Sequence, residues 1–200
     1  FNEQPIGAKA NLEGTSIQDY SPWDNRAQAQ ANSLAEAPTY VPGAGSNVAL
    51  RLTAGSDRVM LTPDSTRALQ FGVLDSFTVE LAMRTTARTG VIIGGTPGMR
   101  GWTLQLANGK PRLELFDGTT TAIVASTVAI NDGNWHCVAV LRDAVTRQLR
   151  VYVDGALAAP QAGDTTSTTL ASNEPVTLGA MNDGSGQLAF DVDTLRVTRG

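Results

Sequence analysis

One histidine, one cysteine and a surplus of aspartates are the residues of this chain that could do chemistry. His136 and Cys137 stand side by side in Asn131-Asp132-Gly133-Asn134-Trp135-His136-Cys137-Val138-Ala139-Val140. A thiol nucleophile needs a base beside it, but adjacent side chains of a β-strand point to opposite faces. His136 is therefore badly placed to activate Cys137. The thiol reads instead as a small core hydrophobe, and as the only cysteine it can form no intrachain disulfide. A Ser-His-Asp triad would have to recruit the same histidine, and no nucleophile-elbow pattern surrounds any serine. His136 is expected to be a hydrogen-bonding strand residue.

Glycoside hydrolysis needs two carboxyls held about 5 Å apart when the mechanism retains configuration. Glu80 and Glu114 are the nearest candidates, and each stands alone on its strand with Arg or Thr as same-face companions. Asp191 and Asp193 share a parity, but they lie on a terminal segment whose phase breaks nearby. Asp57, Asp117, Asp132, Asp143, Asp154, Asp164 and Asp183 fall in apparent turns. Turn chemistry explains them, because Asp bonds its own backbone; the sharper alternative is hard oxygen ligation of calcium. The run Gly94-Gly95-Thr96-Pro97-Gly98 lacks the Lys and Ser/Thr of a phosphate loop. Aromatic faces that could stack on sugar rings are Tyr20, Trp23, Tyr40, Trp102, Phe116 and Tyr152. Trp23, in a polar loop, is the one expected at the surface. Trp102 is the second ligand-binding candidate, although core packing is the default for Trp102, Trp135 and Tyr152 in strand patterns.

Those residues are carried by segments with a period of two. Phe77, Val79, Leu81 and Met83 share one face against Thr78, Glu80 and Arg84, the pattern of a half-buried strand. Val48, Leu50 and Leu52 alternate, as do Trp102, Leu104 and Leu106, and Leu113 and Leu115. Asn108-Gly109, Asp117-Gly118 and Asp154-Gly155 punctuate them, and dipeptides of this kind tolerate the positive φ of tight hairpins. Strand after turn recurs every eight to twelve residues, which is the spacing of a sandwich or barrel. Residues 135–141 are apolar on both faces and suit a central strand, and residues 176–179 make one more short strand. From Leu188 to Thr198 the apolar parity switches between Val192 and Leu195, which predicts a β-bulge near Asp193-Thr194. Arg26 to Glu36, rich in Ala and Gln, is expected to form a short helix stopped by Pro38 and Pro42. Residues 64–70 are expected to make one helical turn capped by Asp64.

Composition narrows the partners. Two hundred residues fit one domain of the larger all-β type. Charged residues at 17% are fewer than the usual ~25%, and 20 glycines suit many short strands and turns. A formal charge of −4, with Lys9 and Lys110 the only lysines, argues against a nucleic-acid surface. No apolar run approaches the ~20 residues of a transmembrane helix. The chain starts at Phe1 with no signal peptide and reads as a mature or excised piece of something longer.

The Asp-Gly-Asn-Trp-His-Cys-Val turn and strand, followed by Leu149-Arg150-Val151-Tyr152-Val153-Asp154-Gly155, resemble the signature hairpin of laminin-G-like domains in the concanavalin A-like lectin/glucanase superfamily. The likeness covers about Asn47 to Gly200. It implies an all-β fold, an antiparallel β-sandwich of the jelly-roll type, in one domain over residues 1–200 with residues 1–45 as an irregular N-terminal segment packed on it. It also implies a non-catalytic, secreted or cell-surface module that binds a glycan or glycosylated surface. The alternative is a structural or protein-binding appendage of a larger secreted enzyme or adhesin. The Glu-x-Asp-x-x-Glu pattern of the family-16 glucanase branch is absent. Relatives that hold a structural Ca2+ use an Asp in a closing strand like Phe190-Asp191-Val192-Asp193-Thr194-Leu195. The resemblance therefore makes Asp193 the first metal candidate and Asp19 the second, although Asp191 replaces the family's preceding Gly.

Overall fold

The computed structural model describes residues 5–10, 12, 17, 27–45, 47–61, 69–96 and 98–200. In chain order the strands are β1 (Ala27–Gln30), β2 (Thr39–Pro42), β3 (Val48–Thr53), β4 (Arg58–Leu61), β5 (Phe77–Arg84), β6 (Gly90–Gly94), β7 (Gly101–Ala107) and β8 (Lys110–Phe116). They continue with β9 (Thr121–Ala125), β10 (Trp135–Asp143), β11 (Gln148–Val153), β12 (Ala156–Leu157), β13 (Ala162–Gly163), β14 (Val176–Leu178) and β15 (Ala189–Arg199). One sheet runs β1-β4-β14-β6-β7-β8-β9 and the other β12-β11-β10-β5-β15-β3-β2, with β13 also on β11. The expected all-β sandwich of two antiparallel sheets is the fold observed.

Period-two patterning makes the core. Ala29, Val59, Leu178, Ile93, Leu104, Leu113 and Val124 stand in register across the first sheet, and none is more than 3% exposed. Leu50, Val192 and Met83 form a matching buried row in the second sheet, with Val79, Val140 and Val151 in another. The two inner faces merge into one hydrophobic cluster, as sandwich cores do. Strand β10 lies between β5 and β11, the central place expected for it.

Turns follow their chemistry. Asn108 and Gly109 have φ of 53° and 78°, and Asp154 and Gly155 have 52° and 79°, the paired positive φ of type I′ hairpins. All seven turn aspartates accept a backbone N–H. The β-bulge is also present. Val192 pairs with Met83 while Leu195 pairs with Leu81, so three steps on β15 face two on β5.

Three local expectations are corrected. Within the segment expected to be a helix, Ala27–Gln30 is strand β1 and only Leu34–Glu36 makes a short 3-10 turn. Pairing with β4 buries Ala27 and Ala29, and this tertiary contact overrides helix propensity. Cys137 is exposed on the outer face of β10. Trp135 and Tyr152 are half-buried on that same face, with the Arg84 guanidinium 4.9 Å from the Trp135 ring centroid. The proposed turn over residues 64–70 falls mainly on positions outside the described residues. Near the N-terminus, Ala10 donates to the Pro38 carbonyl and is buried, and Lys9 bridges to Thr39 at the edge of the second sheet.

Candidate functional site

The signature hairpin places His136 on the inward side of β10 at the rim of the sandwich. Its Nδ1 lies 2.8 Å from Asp154 Oδ2 and its Nε2 lies 3.0 Å from Asp132 Oδ1. A ring with a carboxylate on each nitrogen satisfies both only when it carries both protons. Burial pushes its pKa down, but the hydrogen bonds to Asp154 and Asp132 outweigh this and raise it. Asp132 is lowered to about 2 by the Asn134 backbone N–H, the Asn134 amide and the histidine. Asp154 also accepts the Cys137 N–H, so the three residues clasp two turns onto the strand. The expected role of His136 as a bonded strand residue is what the geometry gives.

This clasp has a signed pH dependence. Because the folded histidine pKa is raised, its contribution is full below the unfolded value of ~6.5 and fades as pH rises through the folded value. Because Asp132 is depressed, its contribution holds above ~3.9 and is lost as pH falls toward 2. Both carboxylates are half exposed, so water screens the effect. His136→Gln is expected to lower the melting temperature at pH 5.5 and to lower it less at pH 8.5, a narrowing of about 1–2 °C. A penalty equal at the two pH values would contradict the clasp.

The candidate acids and bases are each committed elsewhere. Glu80 pairs with Arg196, and Glu114 pairs with Arg112 and Gln105. Asp191 accepts from Arg51 Nε at 2.7 Å and from Arg84 Nε at 3.1 Å, with a second nitrogen of each guanidinium also bonded. Burial pushes Asp191 up, but the two arginines outweigh that and hold it below the usual carboxylate range. No two of these carboxylates share the unpaired geometry that a glycosidase needs.

Asp193 sits at the bulge and is 5% exposed. Its Oδ2 accepts the Ala44 N–H at 2.8 Å and the Asn47 side-chain amide at 3.3 Å, tying β15 to the turn after β2. Calcium needs six to eight oxygen ligands, whereas the described partners of this oxygen are donors. Among the described residues no group of three or more His, Cys, Asp or Glu could hold a metal ion. A calcium at Asp193 would therefore have to draw on main-chain carbonyls, and Asp19 lies outside the described residues. Asp193→Ala is expected to cost about 1–3 kcal/mol through the stranded donors. Melting temperatures in millimolar calcium and in chelator should then agree for wild type and variant alike. Calcium-dependent stabilisation of the wild type alone would restore the metal reading.

Trp102 is not a sugar platform. It is 3% exposed, its indole N–H donates to the Leu69 carbonyl at 3.1 Å, and it packs against Phe71 and Phe77. Alternation with Leu104 and Leu106 had already placed it on the core face. Trp23 and Tyr20 lie outside the described residues.

Two features went unread in the sequence. Arg142 is fully buried on the inner face of β10 and directs all its donors to partners. Nε donates to Asp164 at 2.8 Å, Nη1 to the Gly72 and Asp75 carbonyls, and Nη2 to the Val73 carbonyl and Thr166. The signal was its parity with Val138 and Val140. The second is an open groove of about 360 Å³ beside the edge strand β1, lined by Leu12, Gln28, Gln30, Asn32, Ser56 and Arg58 among others.

Comparison with known proteins agrees with this architecture. A laminin-G model described as Concanavalin A-like lectin/glucanases superfamily matches residues 53–200. The binding domain of Paraclostridial Mosquitocidal Protein 1 superposes with a TM-score of 0.73 at 12% identity, over 96% of this chain and 48% of that one. Mouse laminin alpha1 chain domains LG4-5 superpose with a TM-score of 0.51 at 25% identity, over 62% and 35%. A structure of botulinum neurotoxin type C, whose cell entry is described as dependent on interaction with two ganglioside molecules, gives 0.65 at 12% identity over 96% and 47%. Cadherin-4 of Caenorhabditis elegans is 34% identical over 76 residues, 38% of this chain and 2% of the cadherin. The chain thus spans about half or less of each of these proteins. With the family model covering most of its length, the chain belongs to the concanavalin A-like lectin/glucanase superfamily.

Proposed function

We propose that this chain is a non-catalytic recognition module, displayed outside the cell, that binds carbohydrate on a glycosylated surface. The observation that supports the non-catalytic half is the commitment of each candidate acid and base, from His136 to Asp191, to a structural partner. Superfamily membership supports the carbohydrate half, as does the ganglioside dependence described for the botulinum neurotoxin type C neighbour. Fold alone does not choose a ligand, since one fold hosts many functions. No helix among the described residues is long and apolar enough to cross a membrane.

A printed array of neutral and acidic glycans, read with calcium and with chelator, tests the proposal. Binding to a defined subset is expected in both buffers, with no turnover of any polysaccharide offered. Trp23→Ala is expected to weaken that binding, because its indole is the aromatic face the sequence places in a polar loop. Hydrolysis abolished by Glu80→Gln or Glu114→Gln would overturn the non-catalytic reading.

A protein-binding appendage is the second reading, and one observation favours it. Leu74 and Val145 are 82% and 88% exposed on neighbouring loops that Arg142 and Ser76 tie together. Loss of a protein partner on Leu74→Asp with Val145→Asp, together with a blank array, would select it.

A further inference from the structure

We propose that the groove at the β1–β4 edge is a saccharide subsite for uncharged, hydroxyl-rich sugar units, held by Arg58, Gln28, Gln30 and Asn32. This rests on the recognition reading above and gives it a location.

The groove is of small-ligand size, about 360 Å³. Two adjacent strands build its floor. Gln28 pairs with Met60 and Gln30 with Arg58, so both glutamines and Arg58 stand on the face of the sheet opposite the buried Ala29 and Val59. The chain leaving β1 adds Asn32, and the turn before β4 adds Ser56.

Among the described residues, the hydrogen-bond account is incomplete at this spot alone. Among the described residues the buried side-chain polar atoms without a partner are Asp57 Oδ1 and Arg58 Nε, on consecutive residues at the start of β4. Native structures satisfy the large majority of such atoms, and an unsatisfied donor on a charged group is costly. Both atoms are buried, so Arg58, which lines the groove, has to turn its guanidinium toward an occupant's acceptor for binding to relieve that cost.

The lining also selects the class of occupant. Side-chain amides offer both a donor and acceptors, the complement of sugar hydroxyls, which do the same. Gln28 spends one donor on the Leu12 carbonyl, and among the described residues the Gln30 amide makes a long contact to the Met60 sulfur at 3.6 Å. Ser56 accepts the Asn32 N–H and donates to Glu36. Glu36 is thereby held against a lining residue, and the Asp183 carboxyl is kept low by its bonds from Ser185 and, to a lesser degree, by the charge of Arg58. These two negative charges stand behind the lining residues Ser56 and Arg58 and count against an anionic ligand, so a neutral sugar is the better match.

The test is a two-dimensional amide NMR titration of the whole chain with lactose, N-acetyllactosamine, mannohexaose and cellohexaose, and with sialyllactose as the anionic arm. Saturable shifts for a neutral sugar are expected at Gln28 to Asn32 and at Ser56 and Arg58. Arg58→Ala should weaken binding by roughly tenfold or more, the scale of one bond to a charged group. Asn32→Ala with Gln30→Ala, at an exposed and a half-buried position, gives the same reading should Arg58→Ala unfold. Shifts centred elsewhere on the surface would overturn this subsite while leaving glycan recognition standing. Preference for sialyllactose at these amides would overturn the uncharged class. No shift with any of these sugars, combined with a blank array, would fail both readings, and would leave only ordered water at Arg58 Nε.

Discussion

Asp164→Ala is expected to destabilise the chain by about 3–5 kcal/mol, the cost of leaving one partner of a buried ion pair alone. Arg142 and Asp164 are both without exposed side-chain surface and meet at 2.8 Å. Asp164 also accepts the Thr166 N–H at 2.9 Å and the Thr166 hydroxyl at 2.6 Å, so its removal strands three donors. Through Arg142 these bonds hold together β10, the loop carrying Gly72 and Asp75, and the segment after β13. For a chain of this size the melting temperature should fall by roughly 6–20 °C. The double change Arg142→Met with Asp164→Leu is expected to cost less than Asp164→Ala, because it removes both charges together. Burial raises the Asp164 pKa, but the bonds from Thr166 and Arg142 outweigh it and hold it low. The pair's contribution is therefore full above ~3.9 and lost as pH falls below it. A single variant that melted like wild type would contradict this role.

Gly94→Ala is expected to be comparably damaging, and Gly95→Ala nearly silent. Gly94 lies in β6 with φ of 141°, where a side chain is strained. A Cβ there would come within 2.5 Å of the Trp102 carbonyl oxygen and 2.6 Å of Thr103 Cα, both backbone atoms of the neighbouring strand. Relief requires β6 and β7 to separate in the middle of the sheet. Gly95 meets nothing within 4 Å. Urea denaturation should give a loss of several kcal/mol for the first, and a change within about 0.5 kcal/mol for the second. Equal effects would mean that composition, and not close approach, explains the glycines.

What the sequence made legible was whatever local periodicity controls. The face of Phe77, Val79, Leu81 and Met83, the two Asx-Gly hairpins and the parity switch before Leu195 each follow from a period of two or a demand on φ. Strand β1 was misread because Ala and Gln favour helix, while its fate is decided by β4, about thirty residues away. Cys137 was misread because residues 135–141 are apolar on both faces, and apolarity does not say which face of a central strand meets the other sheet. Arg142 looked like the polar end of a strand, since nothing local announces the carbonyls of Gly72, Val73 and Asp75 that converge on it. The groove was invisible for the same reason. Its glutamines read as helix surface, and the unpartnered Arg58 Nε exists only once β1 and β4 are paired.

Recognition of glycans is tested most directly by binding the fluorescently labelled chain to intact cells before and after enzymatic removal of surface N- and O-linked glycans and glycolipid headgroups. Saturable binding that falls at least tenfold on deglycosylation, and that free oligosaccharide competes away, is the expected result. Binding that survives complete deglycosylation, or that Leu74→Asp with Val145→Asp abolishes while sugars do not compete, would contradict it and identify a protein-binding module.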